Sequence, residues 1–326
     1  MQKILIIGAG LAGSVIAREL ANKGHICDII DRRKHIGGNC YDYTNDHGIR
    51  KNKYGPHFFH TNNIEVFRWL SQFTMWTKYQ HKVKAMLKGG RFVTLPVNRE
   101  TARIVGKDNI IDIFYKPYTT KMWGKYEVDE SILNRVKIRD DDNELYFPDD
   151  KYQFIPKDGY TEMFENILNH KNIRINLNRS YFNENKYDHI FNSMSIDEYY
   201  GYKYGMLPYR SIKFSDIDMP MDTFLPAVTV NFTHYGKYTR VTEWSNLPNN
   251  TAKNITTATF EEPCDYKDNN LERYYPIKEK KNAELYNKYA EIKKNKMTFI
   301  GRCGQYKYLD MDEVVEDSLK IADTFK

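Results

Sequence analysis

The sequence predicts an α/β protein: a parallel βαβ unit opens the chain, antiparallel strands fill its later half, and the last segment returns to the opening unit. Three observations carry this reading. The first is an apolar strand, Lys3 to Ile7, running into Gly8-Ala9-Gly10-Leu11-Ala12-Gly13 and a helix from about Ala12 to Lys23; a second strand, Ile26 to Ile30, then ends at Asp31. The second is a series of period-two segments, Ser211 to Phe214, Ala227 to Phe232, Thr239 to Trp244 and Ile255 to Phe260. The third is a late apolar strand, Met297 to Ile300, followed by Gly301-Arg302 and a final helix from about Asp312 to Phe325.

Between these landmarks helices and strands alternate. Phe67 to Phe73 reads as helix, and Val83 to Leu95 as a hairpin turning at Gly89-Gly90. Asn109 to Trp123 is helical in part, and Pro117, which lacks an N–H and crowds the preceding turn, is expected to kink or break it. Ile132 to Val136 reads as a short helix. Tyr160 to Asn169 is a helix after Asp158-Gly159, Ile173 to Leu177 and Tyr187 to Asn192 are strands, and Asn282 to Lys293 is helical.

With 326 residues, 41% hydrophobic and 28% charged, the chain has the balance of a globular protein able to bury a full core. A formal net charge of +6 without a dense basic block suits a small anionic ligand and argues against a nucleic-acid track. The 26 Tyr residues supply flat faces that also hydrogen bond, which suits a nucleotide-sugar site; abundant Lys and Asn show that composition bias explains part of that count. Cys27, Cys40, Cys264 and Cys303 form no Cys-x-x-Cys pair, so no metal is expected, and reduced thiols in the cytoplasm are. Ile4 to Ala17 imitates the core of a secretion signal, but Gly8, Gly10 and Gly13 interrupt it and Arg18-Glu19 follow without a cleavage site. No apolar run reaches the ~18 residues of a membrane span.

The glycine motif has a mechanism. Gly8 makes the turn, Gly10 lets a pyrophosphate approach the backbone, and Gly13 lets helix and strand pack, while the helix start turns its partial positive charge on the phosphates. Asp31 is placed to bind ribose hydroxyls. NAD and FAD both fit so far. The run Asp31-Arg32-Arg33-Lys34-His35-Ile36-Gly37-Gly38-Asn39 favours FAD, because an acid, a basic residue and a glycine pair follow in the flavoprotein order and bring Gly38 and Asn39 close to the cofactor. Gly301-Arg302 ahead of the final helix adds to this. A helix N-terminus near Asp310 and Met311 would steady the negative charge of a reduced flavin.

Several stretches together carry a resemblance. They are Tyr54-Gly55-Pro56-His57-Phe58-Phe59-His60-Thr61-Asn62, Leu95-Pro96-Val97-Asn98, Tyr118-Thr119-Thr120-Lys121-Met122-Trp123-Gly124 and Tyr152-Gln153-Phe154-Ile155-Pro156. Tyr209-Arg210-Ser211, Asn231-Phe232-Thr233, Tyr238-Thr239-Arg240, Tyr274-Tyr275-Pro276 and Tyr306-Lys307-Tyr308-Leu309-Asp310-Met311 follow in the same order. In this order the chain resembles the bacterial UDP-galactopyranose mutases. The resemblance implies a Rossmann-like FAD-binding domain (1–70 with 156–200 and 295–326), an inserted small helical domain (98–136) and an antiparallel β-sheet domain (75–97 with 138–155 and 203–280).

The resemblance also implies roles. His57 matches a histidine beside the flavin, and Arg302 a flavin contact. Arg135 and Arg240 match the two arginines that grip the diphosphate. Phe114 and Tyr146 match residues flanking the uracil. Asn98, Tyr118, Thr119, Trp123 and Asn231 match the substrate pocket, and Tyr275, Tyr308 and Asp310 the cluster beside the flavin. Arginine suits a departing diphosphate because its planar fork offers several oriented donors where lysine offers a point charge. The implied activity interconverts pyranose and furanose forms of a UDP-sugar, UDP-galactose first, through an adduct between the sugar and N5 of reduced FAD, with NADH or NADPH as a transient reductant. An amine-oxidase-like FAD oxidoreductase and a non-catalytic nucleotide-sugar-binding relative remain as alternative readings.

The chain departs from that family where Asn98 and Tyr118 stand close together in sequence, which leaves room for only short helices. A monomer, or a dimer built unlike the usual bacterial one, is therefore expected.

Overall fold

The computed structural model describes residues 1–124, 138–180, 183–292 and 295–325. Five parallel strands form the nucleotide-binding sheet, in the order Ile173–Asn176, Ile26–Ile30, Lys3–Ile7, His189–Asn192, Met297–Phe299. The central strands read KILII and ICDII because both faces are covered, so no polar alternation is required. Helix Leu11–Asn22 buries Val15, Ile16 and Leu20 on this sheet and packs beside the final helix, Met311–Thr324. As expected, the last strand and helix close the first unit.

The large sheet has seven strands, in the order Tyr275–Pro276, Tyr209–Met219, Thr256–Asp265, Arg240–Glu243, Thr229–Phe232, Val83–Met86, Phe92–Leu95. It is antiparallel with one exception: Thr229–Phe232 runs parallel to Val83–Met86. That pair joins two hairpins distant in sequence, and no tight turn dictates their relative direction. Residues 76–78 and 152–155, grouped by expectation with this sheet, belong instead to a separate three-stranded sheet in which Tyr152–Pro156 pairs with Phe59–Thr61 on one side and Trp76–Lys78 on the other. There Phe67 stacks on Tyr152 at 4.6 Å and Phe59 on Trp76 at 5.2 Å, which ties the small sheet to the nucleotide-binding core.

Two helices differ from expectation. The segment expected at Phe67 starts earlier, as Ile64–Leu70, because the Asn63 side chain accepts the amides of Glu65 at 3.0 Å and Val66 at 3.3 Å and so caps it. Pro117 does not break its helix. A π-helical turn, Ile111–Tyr115, runs into Lys116–Trp123, and Pro117 falls in the first turn, where a missing N–H costs little. The helix expected at Ile132 to Val136, with Arg135, lies outside the described residues. Among the described residues no helix is long and apolar enough to cross a membrane.

Candidate active site

At the glycine turn, Gly8 has φ +104°, and a Cβ there would stand 2.0 Å from Ser193 Oγ. A Cβ on Gly13 would stand 2.0 Å from the Gly8 carbonyl oxygen, so only glycine lets the helix sit this low on the strand. Gly10 and Gly38 face each other: a Cβ on Gly38 would approach Gly10 Cα to 2.8 Å. No side chain caps the start of helix Leu11–Asn22, which leaves its first amides to a ligand. Asp31 accepts the Ala9 amide on Oδ2 and the Arg33 amide on Oδ1, both at 2.8 Å, so it braces the turn. This cradle fits a dinucleotide pyrophosphate.

From that end a cavity of about 690 Å³ opens between the nucleotide-binding unit and the large sheet. Asn39, His57, Tyr118, Trp123, Tyr146, Asn231, Arg240, Tyr275, Arg302, Tyr308, Asp310 and Met311 all line it, although they come from segments far apart in sequence. The Tyr118, Tyr146 and Tyr308 side chains, 41%, 37% and 42% exposed, give their free surface to this cavity. Tyr275 and Tyr308 stack at 5.8 Å, and the Arg302 guanidinium lies 4.7 Å from the Tyr308 ring while donating to Tyr274 O at 3.1 Å and Leu309 O at 2.6 Å. Met311 opens the final helix, so the N-terminus of that helix meets the cavity beside Asp310.

Electrostatics set the state of each group. Arg240 Nε donates to Glu261 Oε2 at 2.7 Å, and Glu261 is 1% exposed. Burial alone would lower the Arg240 pKa, but the Glu261 carboxylate and the Tyr275 and Tyr118 phenols outweigh it and hold the guanidinium charged. Its Nη groups are the remaining donors for an anion. Burial, opposed by the Gly55 carbonyl and reinforced by the Arg302 and Arg240 charges, pushes His57 down to about 4. His57 Nδ1 lies 2.8 Å from Gly55 O; a carbonyl only accepts, so Nδ1 carries the proton and Nε2 is an acceptor. Burial raises the Asp310 carboxyl, opposed by His60 and Arg302. Asn231 Oδ1, Glu261 Oε1 and Thr229 Oγ1, from residues that line the cavity, are buried without a hydrogen-bond partner among the described residues.

Three expected substrate contacts stand off the wall. Asn98 is fully buried and its side chain accepts the Thr101 amide at 2.9 Å, so it caps helix Arg99–Val105. Phe114, 8% exposed, packs with Ala85, Val93 and Val97 behind the wall, and Thr119 is 3% exposed. Asn and Phe serve caps and cores as readily as ligands, and sequence alone did not separate those uses.

A family model described as UDP-galactopyranose mutase matches residues 113–308, and one described as an NAD(P)-binding Rossmann-like domain matches residues 6–73. The chain is 35% identical to the probable UDP-galactopyranose mutase of Klebsiella pneumoniae, over 99% of this chain and 94% of that protein. The chain belongs to the UDP-galactopyranose mutase family. It is therefore an enzyme of the isomerase class, on a flavin-type Rossmann fold. A second member, the dTDP-fucopyranose mutase of Escherichia coli, is 34% identical over 100% of this chain and 98% of its own. A crystal structure of reduced UDP-galactopyranose mutase shares the fold, with a TM-score of 0.75 at 17% identity, covering 99% of this chain and 93% of that one. The Klebsiella alignment spans 375 positions against 326 residues here, so this member of the family lacks segments present in its relative.

Sequence reasoning missed several wall residues of this mutase-family site. Glu261 directly faces Arg240 across neighbouring strands, and that register could have been found by pairing Thr239 to Trp244 with Ile255 to Phe260 and extending the second strand. His60, whose Nδ1 is 2.7 Å from Asp150 Oδ2, and His81, 2.9 Å from the Tyr79 hydroxyl, also line the cavity. A lone histidine on a three-residue strand gives no spacing signal.

Proposed function

We propose that the protein binds FAD and interconverts the pyranose and furanose forms of a UDP-sugar, with UDP-galactose as the first candidate. The observation that supports this most is the single cavity that unites Arg240 with His57, Arg302, Tyr275, Tyr308 and the start of the final helix. An oxidoreductase of amines would not need a charge-locked arginine, three orphaned polar atoms and stacked tyrosines in one chamber.

The Gly8–Gly13 turn, Asp31, Gly38 and Asn39 would hold the dinucleotide, and Arg302 and Met311 the ring end. When bound and reduced, FAD supplies the electron pair that the anomeric carbon needs as the nucleotide leaves. The chain's own residues do the rest. Arg240, joined by Arg135, holds the diphosphate as it departs and keeps it for return. Tyr118, Trp123 and Tyr146 offer ring faces to base and sugar and exclude water. Neutral His57 accepts a hydrogen bond at Nε2 without adding charge beside Arg302 and Arg240. NADH or NADPH serves as reductant, visiting before turnover.

The near-equal likeness to a dTDP-fucopyranose mutase favours a second reading for the nucleotide sugar, with a deoxythymidine diphosphate deoxysugar as substrate of the same ring isomerisation. Incubating reduced protein with UDP-galactopyranose, UDP-glucose and dTDP-fucopyranose, with NMR detection of furanose products and a parallel peroxide assay on amines, tests the reading. Furanose from UDP-galactopyranose is expected. Peroxide release with no ring change would sink it.

A further inference from the structure

Helix Lys116–Trp123 puts Tyr118, Met122 and Trp123 on the cavity wall. Lys121 leaves the same helix in another direction. Its ammonium donates to three backbone carbonyls, Phe232 O at 2.7 Å, His234 O at 2.8 Å and Tyr238 O at 2.9 Å. These acceptors bracket the connection between strands Thr229–Phe232 and Arg240–Glu243. Asn231 stands just before that connection and Arg240 just after it, and both line the cavity. Arg210 grips the helix from its end, with Nε donating to Met122 O at 2.5 Å and Nη2 to Lys121 O at 3.3 Å.

An ammonium has three donors and no acceptor, and here all three are spent on the carbonyls of one turn. A surface lysine does not meet such a set by chance, because fixing four rotatable bonds costs side-chain entropy. Removing the group would leave three carbonyls converging on nothing, with the penalty that unsatisfied acceptors carry. The clamp joins the aromatic wall to the wall that bears Arg240.

We propose that Lys121 is a positioning residue for the ring-isomerising reaction: by clamping the 232–238 connection to the helix it sets the distance between Tyr118 and Trp123 on one side and Asn231 and Arg240 on the other, and so where the diphosphate lies relative to the reacting sugar. The role in turnover rests on the function proposed above; the clamp itself does not.

Burial pushes Lys121 down to about 8. The titratable and charged groups on the elements packed here are Lys116 and Tyr118 on its own helix, His234, Tyr235, Lys237 and Tyr238 on the connection, and Arg210, Arg240, Glu261 and Glu262 on the sheet. As pH rises through about 8 the ammonium becomes an amine with two donors for three carbonyls, and one carbonyl then faces a lone pair. Turnover should therefore fall on the alkaline side, a limb that Lys121→Arg removes, since a guanidinium stays charged.

The test compares FAD-loaded wild type, Lys121→Met and Lys121→Arg in anaerobic turnover of UDP-galactopyranose from pH 6.5 to 9.5, with hydrogen exchange on the same samples. Lys121→Met should raise KM about tenfold with flavin retained, and amides of 233–239 should exchange at least about tenfold faster; Lys121→Arg should recover most of the KM and lose the alkaline limb. Unchanged exchange over 233–239 in Lys121→Met overturns the clamp. An unchanged KM, or the same alkaline limb in Lys121→Arg, overturns its role in the reaction. Should Lys121→Met not fold, the Lys121→Arg profile decides. A wild type that exchanges slowly at 233–239 but turns over no nucleotide sugar would count against the proposed function and leave the clamp standing.

Discussion

Arg240 and Glu261 face each other across two strands, and the carboxylate is almost wholly out of water. Such a pair fixes the guanidinium in one orientation, and breaking it from one side is costly because the other charge is left buried. Arg240→Ala should therefore do two things. It should cut turnover by about a hundredfold or more, the ~3 kcal/mol that a charged donor facing a leaving diphosphate is worth. It should also lower stability by about 3 kcal/mol in urea denaturation, because Glu261 loses its partner. Arg240→Met combined with Glu261→Gln should restore stability without restoring turnover. If the double variant is as unstable as Arg240→Ala, Glu261 is not the cause. Arg135→Ala should share the loss of turnover and keep its flavin. Arg240 was legible in the sequence because it stood in an ordered series of matches. Glu261 was not, since one acid on a strand is normally solvated. Asn98 illustrates the converse: the residue type that binds ligands also caps helices, and its side chain caps Arg99–Val105.

The elements best read from sequence are those whose burial leaves a long pattern. Lys3–Ile7 and Ile26–Ile30 are continuous apolar runs between covered faces, and Met311–Thr324 repeats at helical spacing. The three-residue strands Phe59–Thr61 and Trp76–Lys78 are too short to repeat the two-residue alternation that would announce them. Tyr209–Met219 was expected only over Ser211 to Phe214; its far end is exposed and polar, and pairing with Thr256–Asp265 holds it in the sheet. Pro117 was read as a breaker because the π turn ahead of it has no sequence signature. The glycine turn is the element whose chemistry was clearest beforehand. Gly13→Ala would force a methyl group against the Gly8 carbonyl and lift the helix from its strand. The expected outcome is protein that keeps little or no flavin by absorbance, with a lower melting temperature. A yellow Gly13→Ala protein of wild-type stability would show that the turn tolerates what the geometry forbids.

At the scale of the molecule, charge burial limits the acid side. His57 and His81 are held near 4 and 3, chiefly by burial, against an ordinary 6.5. Above pH 6.5 both forms of the chain leave them neutral. As pH falls below that, the unfolded chain takes up their protons and the folded one does not, so stability drops by roughly 1.4 kcal/mol per pH unit for each group down towards pH 4. Urea midpoints measured from pH 7 to 4.5 should fall accordingly, and less steeply in His81→Gln; a flat profile would mean that these rings are hydrated. Assembly follows from the same economy of apolar surface. Ile110 is buried with Ala85 and Val93 of the neighbouring hairpin and with Val97, and Ile104, Val105 and Ile113 lie half-buried against the same cluster, which leaves little apolar surface there for a partner. Light scattering at micromolar concentration should give a monomer, or a dimer joined through another face; a dimer joined through residues 99–115 would contradict that.

The most direct test of the whole account is the dependence of ring isomerisation on the redox state of the cofactor. FAD-loaded protein is divided under strict anaerobiosis; one half is reduced with dithionite, the other left oxidised, and both receive UDP-galactopyranose while proton NMR follows the anomeric signals. Furanose is expected to accumulate to equilibrium with the reduced protein alone. Equal conversion by both halves, or none by the reduced half with its flavin bound, would contradict it.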